Sequence, residues 1–257
     1  MTPPFPVRLL TRCVAAACVT LVLGLLVPRA GAQGVRVGVR AGPTFGFLND
    51  SAVPFVSADG DVTANTNVRL DLHAGGYAIL PISGPYGLQT ELLYVRKGGH
   101  FSRFGEQSYR VERYRLAYVQ GQVLGRRDIS LPGPLHLHVV GGLTVERFVN
   151  GAVAQAVHTK VQVYRETIDL TVPTLVQRWD VGALVGVGLG YPVGGAGRIS
   201  LDLRYNPGFR AVFAEGTRPP GEQMVDFADP PPLSPSPPAL RHDVITASLS
   251  FTTSLGR

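Results

Sequence analysis

Cysteine is nearly absent. The 257-residue chain has two, Cys13 and Cys18, both near the N-terminus. A mature chain that starts after residue 32 has none, which excludes disulfides, thiolate metal sites and a cysteine nucleophile. A strong charge balance is also missing. Lysine and arginine number 24 and aspartate and glutamate 18, for a net charge of +6. Residues 1–32 hold Arg8, Arg12 and Arg29 and no acid, so the remainder carries only +3. That balance gives no footing for nucleic-acid binding. Beyond the N-terminus there is no apolar run of the ~20 residues that a membrane-spanning helix needs. Nor is there a G-x-S-x-G element, so a nucleophile-elbow hydrolase is excluded.

The N-terminus has a pattern of its own. Arg8 and Arg12 precede an apolar run from Val14 to Val27, and Ala30 and Ala32 stand in an A-x-A arrangement before Gln33. These are the charged region, apolar region and cleavage site of a secretory signal peptide. The expected organisation is a signal peptide over 1–32 and one domain over 33–257.

In that domain, eight segments repeat with a period of two, the signature of β-strands with unlike faces. They fall at about 34–48, 69–80, 86–97, 113–125, 135–148, 179–191, 198–209 and 243–256. In the last, Ile245, Ala247, Leu249, Phe251 and Leu255 oppose Val244, Thr246, Ser248, Ser250 and Thr252. The connections alternate. Residues 81–85, 126–134 and 192–197 are short and rich in Pro and Gly, whereas 49–68, 98–112, 149–178 and 210–242 are long. Long loops at one end and short turns at the other, on an even number of strands, predict an all-β fold. Its form is an eight-stranded antiparallel up-and-down transmembrane barrel.

Which face meets lipid is decided by what stands opposite the aliphatics. Arg36, Arg40, Asp71, Glu91, His136, His138, Glu146, Asp202 and Arg204 do, together with Gly38, Gly42, Gly46, Gly182, Gly186, Gly188 and Gly190. Glycine on a solvent face only weakens a strand. On the inner wall of a narrow barrel it makes room for long charged side chains. The aliphatic faces are therefore expected outward. Phe45, Phe47, Tyr94, Tyr118, Phe148, Trp179 and Phe209 are expected in one interfacial girdle, and Tyr86 and Tyr191 in the other.

Several stretches resemble a known family. GLQTELLYVRKGG (87–99), LDLRYNPG (201–208), LDLHAGGYAILPIS (70–83) and WDVGALVGVGLGY (179–191) are similar to strand signatures of the PorT-like outer-membrane β-barrel proteins, small barrels of the OmpA/OmpX type. A further strand of that family appears only as YVQGQVLGR (118–126), with Gln120 and Gln122 where the family has Glu and Pro. The resemblance implies an eight-stranded barrel in the outer membrane. A few members of the family assist protein secretion.

Eight strands enclose a lumen that side chains can fill, and charges there must pair. The expected network comprises Arg36, Arg40, Asp71, Glu91, Asp202 and Arg204. His136 and His138 share a face, and with His73 they could in principle supply metal ligands. Polar lining is the plainer role, so no metal, cofactor or catalytic residue is assigned. The Pro-rich DPPPLSPSPP (229–238) is expected as a stiff polyproline II spacer. VQVYRETIDLTV (161–172) alternates and is expected to extend strands five and six as a protruding hairpin.

The leading functional expectation is a structural, binding or secretion-accessory role through the outer loops, without catalysis. The partners are then outer-membrane lipid and a protein at the extracellular loops. A narrow channel and a soluble periplasmic ligand-binding barrel are the alternatives.

Overall fold

A computed structural model describes residues 34–50, 56–57, 60–61, 64–104, 108–159, 163–170, 176–194, 197–209 and 240–255. The expected signal peptide and the Pro-rich 229–238 segment lie outside the described residues.

Eight long strands build the barrel: β1 (Arg36–Asp50), β2 (Arg69–Ser83), β3 (Tyr86–Phe104), β4 (Ser108–Ser130), β5 (His136–Thr159), β6 (Trp179–Val193), β7 (Gly197–Pro207) and β8 (Leu240–Ser254). Each pairs antiparallel with its neighbour in sequence. β8 returns to β1, with Val39 opposite Phe251 and Phe45 opposite Ile245, so the sheet closes and its eight strands have no free edge. The short turns each hold a glycine in the left-handed region, Gly84 (φ 54°), Gly133 (φ 84°) and Gly194 (φ 60°). A residue with a Cβ would be strained at these positions.

The period of two maps onto two environments. Val39, Leu72 and Leu201 are 63%, 64% and 63% exposed. Their sequence neighbours Arg40, His73 and Asp202 are buried. A soluble barrel needs the reverse, with aliphatics enclosed and charges in water. The aromatics divide. Trp179, Tyr94, Tyr205 and Phe209 are exposed towards the loop ends, and Tyr86 and Tyr191 towards the turn ends. Arg147 lies over the Trp179 ring and Arg127 over the Tyr86 ring, each 5.6 Å from the centroid. Each girdle is thus tied to a cation.

Two sequence expectations change. Tyr118 and Phe148 are not lipid-facing. Tyr118 is 2% exposed and meets Phe148 edge-on at 5.6 Å, inside a cluster with Tyr114, Leu116, Val153, Leu170 and Val176. Parity explains the first, because Tyr118 shares the inward face with Gln120 and Gln122. Similarly, 98–112 is not a long loop. β3 and β4 run through it as paired strands to Phe104 and Ser108.

β3, β4 and β5 have 19, 23 and 24 residues, well beyond the ~10 that cross the hydrocarbon layer. Ala64–Asn67 adds to β3 and Val163–Asp169 adds to β5. Of the stretch 161–172, expected to extend strands five and six, the described Val163–Asp169 pairs with the extended β5. On the loop side the barrel continues as a wall of strands, roughly 20–30 Å tall at ~3.3 Å per residue and a ~45° tilt.

Candidate functional site

The barrel interior is the most heavily built polar site among the described residues. At its centre Arg40, Glu91, Asp202 and Arg204 form a closed square. Arg40 donates to both Glu91 carboxylate oxygens at 3.0 Å and reaches Asp202 at 3.0 Å. Arg204 lies 2.9 Å from Glu91 and 3.7 Å from Asp202. Two cations and two anions cancel. Each carboxylate sees both guanidiniums, the arrangement a charge needs when water is excluded.

Neighbours extend the square. His138 Nε2 is 2.8 Å from Asp202. Ser248 accepts from Arg40 at 2.9 Å and Ser250 donates to Asp202 at 3.1 Å. Gln89 donates to Glu91 and accepts from Arg126 at 2.9 Å. Gln122 accepts from Arg204 at 3.2 Å and donates to Gln120 at 2.7 Å, and Gln120 donates to Glu146. Lys97 pairs with Glu146 and sits 4.4 Å above the Tyr118 ring. A single polar chain therefore runs along the lumen from Arg126 to Lys97.

Local sequence makes this possible. Gly186 and Gly188 face inward on β6. A Cβ on Gly186 would stand 2.6 Å from the Arg204 side chain, and one on Gly188 would stand 2.3 Å from the His138 ring. The glycines are the space that the charged side chains occupy. Apolar residues fill the remainder, with Leu124, Val140 and Leu184 in one buried cluster.

Of the six residues expected in the network, the structure gathers Arg40, Glu91, Asp202 and Arg204. Arg36 stands apart at the turn end, 3.0 Å from Asp128. Asp71 stands apart towards the loop end, paired with Arg69. Lys97, Gln89, Gln120, Gln122, Arg126, His138 and Glu146 belong to the chain of contacts as well. Their inward parity was the available signal. The three histidines do not converge, since His73 binds Thr44 at 3.1 Å while His138 binds Asp202. Among the described residues no group of three or more His, Cys, Asp and Glu is placed to hold a metal.

Outside the hydrocarbon layer, the wall carries exposed Arg96, Arg113 and Arg115 on its outward face. His100 sits beside them. Burial, then Arg113, Arg69 and Arg115, hold its imidazole below the ordinary histidine range.

No curated protein matches the sequence. Solved structures that resemble it include OprG from Pseudomonas aeruginosa, with 8% identity, 88% of this chain and 99% of that chain covered, and a TM-score of 0.44. Neisserial surface protein A has 12% identity over 88% of this chain and 100% of that one, with a TM-score of 0.40. Ail, the attachment invasion locus protein of Yersinia pestis, has 10% identity over 86% and 99%, with a TM-score of 0.32. The family model described as outer membrane protein beta-barrel domain matches residues 30–214. With its aliphatics outward, its ion pairs inward and its sheet closed, the chain belongs to that family of outer-membrane barrels.

Proposed function

We propose that this protein is a sealed outer-membrane barrel that acts through its loop-side wall, in a structural, binding or secretion-accessory role, and not as a pore. The observation that carries this reading is the filled lumen. Along the central chain of ion pairs the internal void measures about 20 Å³. That is room for about one water molecule. A permeating solute would have to break the Arg40–Glu91–Arg204–Asp202 square. The long strands, by contrast, place their additional surface outside the membrane. The motif resemblance to PorT-like barrels supports the same assignment, as does an N-terminus with the features of a cleaved export signal.

The test has two arms. Purified barrel in planar bilayers should give no single-channel current, while unboiled and boiled samples differ in gel mobility. Replacing the wall, residues 100–112 and 151–170, by short turns should leave that mobility shift intact and abolish the phenotype restored by the full-length gene in a deletion strain. Steady unitary currents from the wild type, or full complementation by the wall-less barrel, would overturn the proposal.

A further inference from the structure

The turn end of the barrel has a different charge balance from the neutral centre. Arg36, Arg126 and Arg198 converge there on one carboxylate, Asp128, at 3.0, 2.8 and 3.9 Å. Among the described residues Asp128 therefore serves three guanidiniums, one negative charge against three positive ones. The turns that frame this end supply no acid. Among the described residues there, Gly84, Pro85, Leu131, Pro132, Gly133, Pro134 and Gly194 are all uncharged. Arg126 is 7% exposed. Cations drawn this far out of water need a counter-charge.

The same residues surround an open vestibule. Arg36, Arg126, Arg198, Thr252, Ser254 and Ile79 line a cavity of about 510 Å³. It is well over an order of magnitude larger than the void at the centre of the lumen. Ser254 follows the inward parity of β8 and adds a hydroxyl to the guanidiniums, while the Thr252 hydroxyl is shared with the Tyr77 phenol at 2.5 Å. Forked N–H donors beside hydroxyls, with an excess of positive charge, match the geometry of a tetrahedral oxyanion.

We propose that this vestibule is a binding site for a phosphoryl group. Arg36 and Arg198 provide the more accessible forks, Arg126 is the buried anchor held by Gln89, and Asp128 competes with the ligand for all three. The site is separate from the wall. It would stand even if the wall had no partner, and the two proposals fail under different measurements. Two sources share this chemistry: a small phosphorylated solute and the headgroup of an inner-leaflet phospholipid.

The test uses the full barrel, refolded in zwitterionic detergent and shown to be folded by its heat-dependent mobility. Inorganic pyrophosphate is titrated calorimetrically at low salt. Saturable binding at one site is expected. Arg198→Gln and Arg36→Gln should each weaken it about tenfold or more, the loss of one charge-assisted hydrogen bond. Asp128→Asn should tighten it, because the guanidiniums are freed from their competitor. A merely structural role for Asp128 would not produce that gain. Repeating the titration in nanodiscs separates the sources. If phosphatidylglycerol suppresses pyrophosphate binding relative to phosphatidylcholine, the lipid headgroup is the ligand. If it does not, the ligand is a solute. Absence of saturation up to about 10 mM pyrophosphate, or equal affinity in wild type and both arginine variants, would overturn the proposal.

Discussion

Glu91 is the residue on which the central square depends most. It faces Arg40 and Arg204 at 3.0 and 2.9 Å and is itself fully enclosed. Glu91→Gln keeps the shape but removes the charge, and it turns one acceptor into an amide donor aimed at donors. The square then holds two cations against Asp202 alone. Unit charges about 4 Å apart interact by roughly 4 kcal/mol at an effective dielectric constant of 20. Two such attractions are lost. The relief of the carboxylate's own desolvation offsets part of that loss. The expected net cost is about 3–5 kcal/mol, the range found when one member of a buried ion pair is removed. Urea unfolding of the barrel in phospholipid vesicles, followed by Trp179 fluorescence and gel mobility, measures it. A second variant, Glu91→Gln with Arg204→Gln, restores neutrality and should cost less than the sum of the single changes. A loss under about 0.5 kcal/mol for Glu91→Gln would refute the reasoning, because it would mean that water reaches the square and screens it.

Other perturbations read other parts of the account. Gly188→Val places a side chain where the His138 ring stands. It should cost about 1–3 kcal/mol by overpacking, visible in the same urea titration. Leu201→Arg puts a charge on the lipid face and should destabilise the inserted barrel by about 2–4 kcal/mol, whereas a soluble barrel would tolerate it. Lys97→Met removes the cation between Glu146 and the Tyr118 ring. Leaving Glu146 buried with only amide partners should lower the unfolding midpoint more than Glu146→Gln combined with Lys97→Met does.

Much of this fold was legible because a period of two carries both the strand and its faces. Ser248, Ser250 and Thr252 opposite Leu249 and Phe251 identified the inward face of β8 without any structure. The extent of β3 and β4 was not legible. In FSRFGEQSYR (101–110) Phe101 and Phe104 fall on opposite parities and Gly105, Glu106 and Gln107 interrupt the pattern, so the apolar residues no longer alternate. Tyr118 and Phe148 were misplaced for another reason. An aromatic residue suits a girdle and an interior equally well, and only its parity with Gln120 separates the two. Inward charges could be named, but not their partners. Arg40 and Glu91 lie 51 residues apart on strands that are not neighbours. Their meeting depends on strand stagger and tilt around the closed barrel, which a linear pattern does not encode. Arg36 and Asp71 share the inward parity but sit at opposite ends, so parity alone grouped them with the square.

The most direct measurement of the outward aliphatic face is nuclear Overhauser transfer from lipid acyl chains to side-chain methyl groups, with the barrel in bicelles. Cross-peaks are expected at Val39, Leu72, Leu201 and Leu249 and not at Leu93, Val140 or Leu184. Acyl-chain contacts at the second set, or none at the first, would contradict a barrel that turns its aliphatics to lipid and its charges inward.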